Sequence, residues 1–410
     1  MNTMFLAILA IAGSLIFITP KYYPTTDYPN QSEPISIIDN VGDPVKDGDP
    51  IKAEWAQNAV KWLIEAQSPN GGWGAGSHAY QNVRDPHLVQ TDPATTAFAA
   101  MALLKSGGAL EKNPYKEQIT KALDRILKDI DARPGNGRIT SQDGTQPQVK
   151  LGIHIDASMA LQFLSDISEQ ITDKELQARV DEAAKICIDL IQGSQNANGG
   201  WAGGGWAPVL QSAMANNALE RAQGKYDVDQ KAIDNSRKYQ AENIGSDGVG
   251  SGDAAGVPLY AVASAQRATS AEAREVESAL PTSILSGYSK GEIEEAVVLK
   301  DLEATGMTRD KAEKLAKSYT VNQTSTKALQ GDAIWAGFGN NGGEEYLSYL
   351  MTSEAIAQQG KEDWLKWREN IEPKFRQSQN PNGSWSGHHC ITSPVFCTAA
   401  IVQAWSAGVQ

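Results

Sequence analysis

Basic charge is in short supply: 36 lysines and arginines stand against 49 aspartates and glutamates, a formal net charge of −13. Phosphate backbones are held by dense basic faces, so nucleic acid is excluded as a partner. Cysteine is scarcer still. Cys187, Cys390 and Cys397 are too few for a disulfide-stapled scaffold, and their spacing matches no zinc finger. Cys187 falls on the apolar face of an expected helix and reads as a small buried hydrophobe, whereas Cys390 and Cys397 could pair as a disulfide if the domain is exported. There is no Walker loop, no His-Glu-x-x-His and no nucleophile elbow. Gly248-Val249-Gly250-Ser251-Gly252 has the glycines of a dinucleotide loop but no strand before it, so it reads as a degenerate turn.

Long apolar runs are also missing, with one exception. Met4 to Thr19 is uncharged and apolar, short for a membrane span and long for a signal core. The Ala10-Ile11-Ala12 cleavage candidate lies inside the run and would leave too little of it upstream, which favours a retained anchor. No Lys or Arg precedes the run and Lys21 follows it, so charge does not fix its orientation. Residues 20–50, rich in Pro, Asp and Asn, read as a tether. The expectation is residues 1–19 as signal or anchor, 20–50 as linker and 51–410 as the folded body, placed at the cell envelope by its N-terminus.

What the chain does contain is repetition. Gln67-Ser68-Pro69-Asn70-Gly71-Gly72-Trp73 returns as Gln195-Asn196-Ala197-Asn198-Gly199-Gly200-Trp201 and again as Gln379-Asn380-Pro381-Asn382-Gly383-Ser384-Trp385. A phrase repeated at long intervals marks an array whose units bury their apolar faces only against neighbours. Before the first copy, Trp55, Ala59, Trp62, Leu63 and Ala66 make the stripe of an amphipathic, outer helix. After it, Ala94 to Leu104 is apolar on all sides, as an inner helix must be. The alternation continues with outer segments 116–130, 176–192, 232–242, 292–319 and 362–377, and inner segments 156–164, 209–219, 257–265, 347–357 and 395–405. Pro93, Pro208, Pro258 and Pro394 stand at inner-helix starts, where a missing N–H costs nothing. The glycine-rich phrase is then the outer-to-inner turn. Its Gln is expected to satisfy helix-end groups, and its Trp to lie over the neighbouring hairpin with its N–H bonded.

These phrases resemble the QW motifs of squalene cyclases and their relatives, motifs that protein prenyltransferases and complement-type thioester domains share more loosely. The likeness covers roughly residues 51–410. It implies an all-α fold, an (α/α)6 toroid of six hairpins with inner and outer rings, and a central cavity for an apolar or isoprenoid-like ligand. Triterpene cyclases carry two such barrels; this chain has room for one.

The family's reactive residues are another matter. Terpene cyclisation by protonation uses an Asp-x-Asp-Asp-Thr-Ala segment, and Asp92-Pro93-Ala94-Thr95-Thr96-Ala97 has Ala94 and Thr95 where the acidic pair would stand. Asp92 and Asp156 are the remaining catalytic candidates, and both also read as helix caps. The prenyltransferase Asp-x-Cys zinc pair and the thioester Gly-Cys-Gly-Glu-Gln segment are absent from the sequence. All five histidines precede inner helices: His78 and His87, His154, His388 and His389. Histidine titrates near neutrality and ligates metals, so the mouth of the ring is a candidate site. His388, His389 and Cys390 are donors that suit zinc, with no cofactor otherwise implied. His87 and His154 join Phe98, Phe163, Tyr260 and Phe396 as candidate ligand-binding residues. Aromatic faces can stabilise carbocations, and equally fill a core.

Three functions remain in play. The first binds an apolar ligand in the central cavity. The second is a silent envelope scaffold or binding module holding a protein, peptide or glycan at its mouth. The third is a carbohydrate-active enzyme with facing carboxylates drawn from Asp92, Asp156, Asp253, Glu344 and Glu345.

Overall fold

The computed structural model describes residues 52–201, 204–244, 252–288, 293–335 and 342–408. The chain divides into Met1–Pro44 and Val45–Gln410. The apolar segment 4–19, the tether 20–50 and residues 248–251 of the glycine run lie outside the described residues. No described helix is long and apolar enough to cross a membrane. Among the described residues there are fifteen α-helices and no β-strand.

In chain order the helices are α1 (Glu54–Glu65), α2 (Pro93–Gly107), α3 (Lys116–Asp131), α4 (Gln146–Leu151), α5 (Ile155–Ser168), α6 (Lys174–Gly193), α7 (Pro208–Ala222) and α8 (Gln230–Glu242). There follow α9 (Pro258–Ala279), α10 (Thr282–Tyr288), α11 (Glu295–Ala304), α12 (Arg309–Gln330), α13 (Gly343–Gln359), α14 (Lys361–Ser378) and α15 (Pro394–Trp405). Burial separates them into two kinds. In α2 every residue from Pro93 to Leu104 is buried. In α3 only Ile119, Ala122, Leu123, Ile126, Leu127 and Ile130 are, the one-sided stripe of a helix that faces water with its other side.

The buried helices follow one another around a closed cycle. Helix α2 packs on α5, α5 on α7, α7 on α9, α9 on α13 and α13 on α15, and α15 returns to α2. Outside them, α3 packs on α2, α6 on α5, α8 on α7 and α9, α12 on α9, α14 on α13, and α1 on α15.

Three differences from the sequence reading have physical causes. The charged stretch 292–319 is not one outer helix. Gly306, at φ +89°, ends α11, and the outer helix is α12, which begins at Arg309. Inner helix α9 runs on to Ala279, well past the expected end at 265, because Arg267 and Glu272 are buried by pairing rather than turned to water. The short α4 was not expected at all. Its Thr145 and Gln148 form a capping box.

The repeated turn is built the same way three times. Gln67 Nε2 donates to Gly71 O within the turn and to Gln118 O on α3, at 2.8 and 3.0 Å. Gln195 reaches Gly199 O and Ala232 O of α8. Gln379 reaches Gly383 O and Trp55 O, tying the last hairpin back to α1. So each Gln ties its turn to the next outer helix. The glycines Gly71, Gly199 and Gly383 hold φ of +85°, +88° and +90°. A Cβ there would stand 2.6, 2.3 and 2.8 Å from Lys121 O, Asn235 O and Asn58 O, so only glycine fits. The Trp indoles have their N–H groups bonded, as expected, and the Trp385 ring lies 5.9 Å from that of Trp55 on α1. Trp73, Trp201 and Trp385 donate Nε1–H back to Leu63, Ile191 and Phe375 carbonyls, the open C-terminal ends of their own outer helices. Their backbone amides donate to hydroxyls of the following inner helix: Thr96, Ser212 and Thr398. One residue thus fastens both arms of its hairpin.

Candidate functional site at the start of the inner helices

Inner helices that follow identical turns start on the same side, and their first residues meet there. Asp92 caps α2, its Oδ1 accepting from Thr95 N and its Oδ2 from Ala75 N, each at 2.8 Å. Asp156 lies in the first turn of α5 but does not cap that helix. It accepts from Ala94 N of α2 at 3.2 Å and from Gln148 Nε2 at 2.7 Å. Two carboxyls from different helices therefore take the open amides at one helix start, beside Pro93, which has none to offer.

Both acids are fully buried, and burial outweighs the hydrogen bonds. The Asp92 carboxyl is pushed up to about 6. Asp156 is pushed up to about 7, first by burial and then by the neighbouring Asp92. Asp156 thus holds its proton through mildly acidic conditions.

The rest of the rim is organised by α4. Gln146 Oε1 accepts from Thr392 N at 2.7 Å and Ser393 N at 3.0 Å, bonding α4 to the start of α15. Its Nε2 is buried without a partner, as are both amide atoms of Gln211, whose side chain lies against Gly152 at the end of α4. Lys150 is buried, its Nζ 4.7 Å from the centre of the Trp206 ring, which is 65% exposed. Burial, then the charge of Glu344, raises the pKa of the Cys390 thiol, against the charge of Lys150. Glu344 is pushed up to about 7 by burial, against hydrogen bonding from backbone amides and the charge of Lys150. Lys150, Gln146 and Gln211 were not singled out in the sequence; the Thr145–Gln148 capping pattern was the signal that would have placed the first two on a helix.

The histidines divide. His154 is half-buried at the start of α5, and burial, then Arg138, lowers its pKa. His78 is lowered by burial and then Lys150, and its Nε2 is buried and unpartnered. His87 is exposed on a short turn, Pro86–Leu88, as are His388 and His389 in the loop ahead of α15. His389 Nδ1 lies 2.8 Å from Cys390 Sγ. Among the described residues no group of three or more His, Cys, Asp and Glu could hold a metal ion, so His388, His389 and Cys390 do not converge as a zinc set. All three cysteines are free, Cys390 and Cys397 included.

The aromatic candidates occupy the interior. Phe98, Phe163 and Phe396 are 0–1% exposed and Tyr260 is 4%. Phe98 and Phe396 pack with ring centroids 4.8 Å apart. A ring lining a void large enough for water would keep accessible surface, and these keep almost none. One pocket of about 260 Å³ lies at the rim between residues 76–90 and 142–145, edged by Tyr80 and Leu88 at 68% and 75% exposure, and another of about 250 Å³ lies among Arg237, Glu272, Lys311 and Leu315.

The opposite ends of the inner helices carry a buried ionic network. Glu354 of α13 accepts from Lys105 of α2, Arg221 and Asn217 of α7, and lies 3.5 Å from Arg267 of α9. Arg221 also pairs with Asp166 of α5, and Arg267 and Arg237 share Glu220. Cations at helix C-termini meet a favourable dipole.

Comparison with known proteins agrees with the sequence resemblance. No curated protein matches significantly. Among solved structures, a type II terpene cyclase, MstE from Scytonema, is similar at 13% identity over 88% of this chain and 98% of that one, with a TM-score of 0.34. A protein from Actinoplanes is similar at 16% identity over 70% of this chain and all of that one, with a TM-score of 0.30. Residues 44–136, which hold α1, α2, α3 and the first Gln–Trp turn, match the family model of the squalene-hopene cyclase C-terminal domain, so this part of the chain is terpene-cyclase-like.

Proposed function

We propose that residues 51–410 form an (α/α)6 toroid of the terpene-cyclase kind that works as a binding module at the cell envelope, taking its ligand on the rim and not in its interior. The observation that carries this reading is the packing of Phe98, Phe163 and Phe396, which leaves no surface for an isoprenoid chain between the inner helices. The rim supplies what a binding face needs: a pocket, exposed Tyr80, Leu88 and Trp206, and buried amide groups without partners. Anchoring through the N-terminal apolar segment belongs to the same proposal.

The cavity reading keeps one observation in its favour, the proton held by Asp156, since cyclisation by protonation needs a neutral carboxylic acid. Incubation of the purified chain with squalene in detergent, followed by gas chromatography and mass spectrometry, separates the two. The binding-module reading expects no cyclised hydrocarbon. A cyclic product that disappears in Asp156→Asn would overturn it.

A further inference from the structure

We propose that the rim around α4 holds the carboxylate of a small aromatic acid. Lys150 supplies the opposing charge, the Gln146 side chain a further N–H, and the exposed Trp206 ring a surface for the body of the acid. This rests on reading the rim as a binding face and adds the chemistry of what is bound there.

The case starts from a cation without a close anion. Lys150 is 8% exposed, and a lysine so enclosed is ordinarily paired. Among the described residues no carboxylate oxygen lies within 4.0 Å of its ammonium. The charge of Lys150 acts on the Glu344 carboxyl from farther off, but burial pushes that acid up to about 7, so at neutral pH it is only a partial counterion. The other end of the inner helices shows the alternative. There Arg267, also 8% exposed, has Glu220 at 3.0 Å and Glu354 at 3.5 Å.

The groups around Lys150 are held in place. Trp206 N and Ala207 N both donate to Lys150 O, at 3.0 and 3.2 Å, so the segment carrying the indole is fixed to the backbone of the lysine itself. The ring centre stands 4.7 Å from Lys150 Nζ, with the residue 65% exposed. Gly205 lies against the end of α4, where a Cβ would stand 2.6 Å from Gly152 N. Gln146 comes four residues before Lys150, a spacing that shares one face of a helix. Its Oε1 is taken by Thr392 N and Ser393 N, while its Nε2 is buried with no partner. A buried N–H without an acceptor is costly, and an incoming carboxylate oxygen supplies one.

Charge decides the class of ligand. One ammonium balances one negative charge, and in a chain of net charge −13, with Glu344 also acting on this place, a phosphate dianion meets repulsion that a monoanion avoids. A carboxylate fits, since its two oxygens accept from an ammonium and an amide N–H together. Trp206 then selects the body, because an exposed indole face packs best on another flat apolar surface. A carboxylate on an aromatic ring meets both halves of the site.

The test follows the Trp206 indole N–H by NMR of the isotope-labelled full chain in detergent, its resonance assigned by its loss in Trp206→Phe. The titrants are benzoate and the neutral benzyl alcohol. The proposal expects a saturable shift with benzoate at concentrations at least ~10-fold below those needed for benzyl alcohol. It expects Lys150→Met to raise the half-saturating benzoate concentration at least ~10-fold, and Lys150→Arg, which keeps the charge, by less than ~3-fold, with the other indole resonances in place. Equal responses to benzoate and benzyl alcohol, or unaltered benzoate binding in Lys150→Met, would overturn the carboxylate assignment and leave the rim a binding face. No shift with benzoate would overturn it as well, whereas cyclisation of squalene is the result that removes the rim reading itself. Should Lys150→Met not fold, the two titrants compared on wild type and Lys150→Arg carry the test.

Discussion

The two ends of the inner helices solve the same problem in opposite ways. Both bury carboxyl groups. At the C-terminal end each acid is given a cation: Glu354 meets Lys105, Arg221 and Arg267, and this holds it well below the usual carboxylate range despite burial. At the N-terminal end Asp92 and Asp156 are given amides and no close cation, and both rise. The first arrangement is closed, since its charges satisfy one another. The second leaves raised carboxyls and buried amide groups that are not fully engaged, and unspent polar capacity in a buried place is where function is sought.

The sharpest way to break this contrast is to make the closed end resemble the open one. Glu354→Gln removes the anion from the buried Arg267 and the half-buried Lys105 and Arg221, and losing one partner of such a network costs about 3–5 kcal/mol. Urea denaturation is expected to show a loss of that size. A loss below about 1 kcal/mol would mean that the cations find water, and that the end is not closed.

The pH response should differ in sign between the ends. For Asp156 the folded-state value lies above the ordinary 3.8 of an aspartate, so the unfolded chain ionises first as pH rises. Its effect on stability is nil below 3.8, grows unfavourable as pH climbs, and levels off above about 7. Glu354 is depressed instead. Its contribution is present above the ordinary 4.5 of a glutamate and is lost as pH falls through the lower folded-state value. A tenfold change in proton affinity corresponds to ~1.4 kcal/mol, so the rim effect is on the order of a few kcal/mol. Urea melts from acid to pH 8 are expected to show wild-type stability falling over the upper part of the range, and Asp156→Asn flattening that fall. Parallel curves would show that the rim acids do not titrate there.

Asp92→Ala comes next. It leaves the amides of Ala75 and Thr95 without the acceptor that both now use, in a place water does not reach. Loss of a helix cap with buried donors costs ~2 kcal/mol. The change is expected to lower stability by that amount in urea. An unchanged denaturation midpoint would leave Asp92 free for a role other than capping.

Much of this architecture was legible because it is periodic. The Gln–Trp phrase, the one-sided outer stripes and the proline starts located most of the inner and outer helices, since each is a local pattern set by helix geometry. What escaped was set by partners distant in sequence. Helix α9 runs past the expected end at 265 with Arg267 and Glu272 inside, paired with Glu220 and Arg237 from elsewhere in the chain. Asp156 looked like a cap for its own helix, and it serves α2. Gln146 and Thr392 are separated by most of the chain and bond at the rim, a meeting that no spacing in the chain announces.

The smallest expected effect is also the most discriminating for the rim. Trp206 is 65% exposed and touches the body through the Lys150 ammonium, 4.7 Å from its ring centre. Exposed cation–π contacts contribute ~0.5–1 kcal/mol, and surface substitutions away from buried features stay within about 0.5 kcal/mol. Trp206→Ala is therefore expected to change stability by less than about 1 kcal/mol in urea melts. A loss that small would leave the exposed Trp206 ring available to a ligand at the rim. A larger loss would place Trp206 among the structural residues, and the rim would then be as closed as the end opposite.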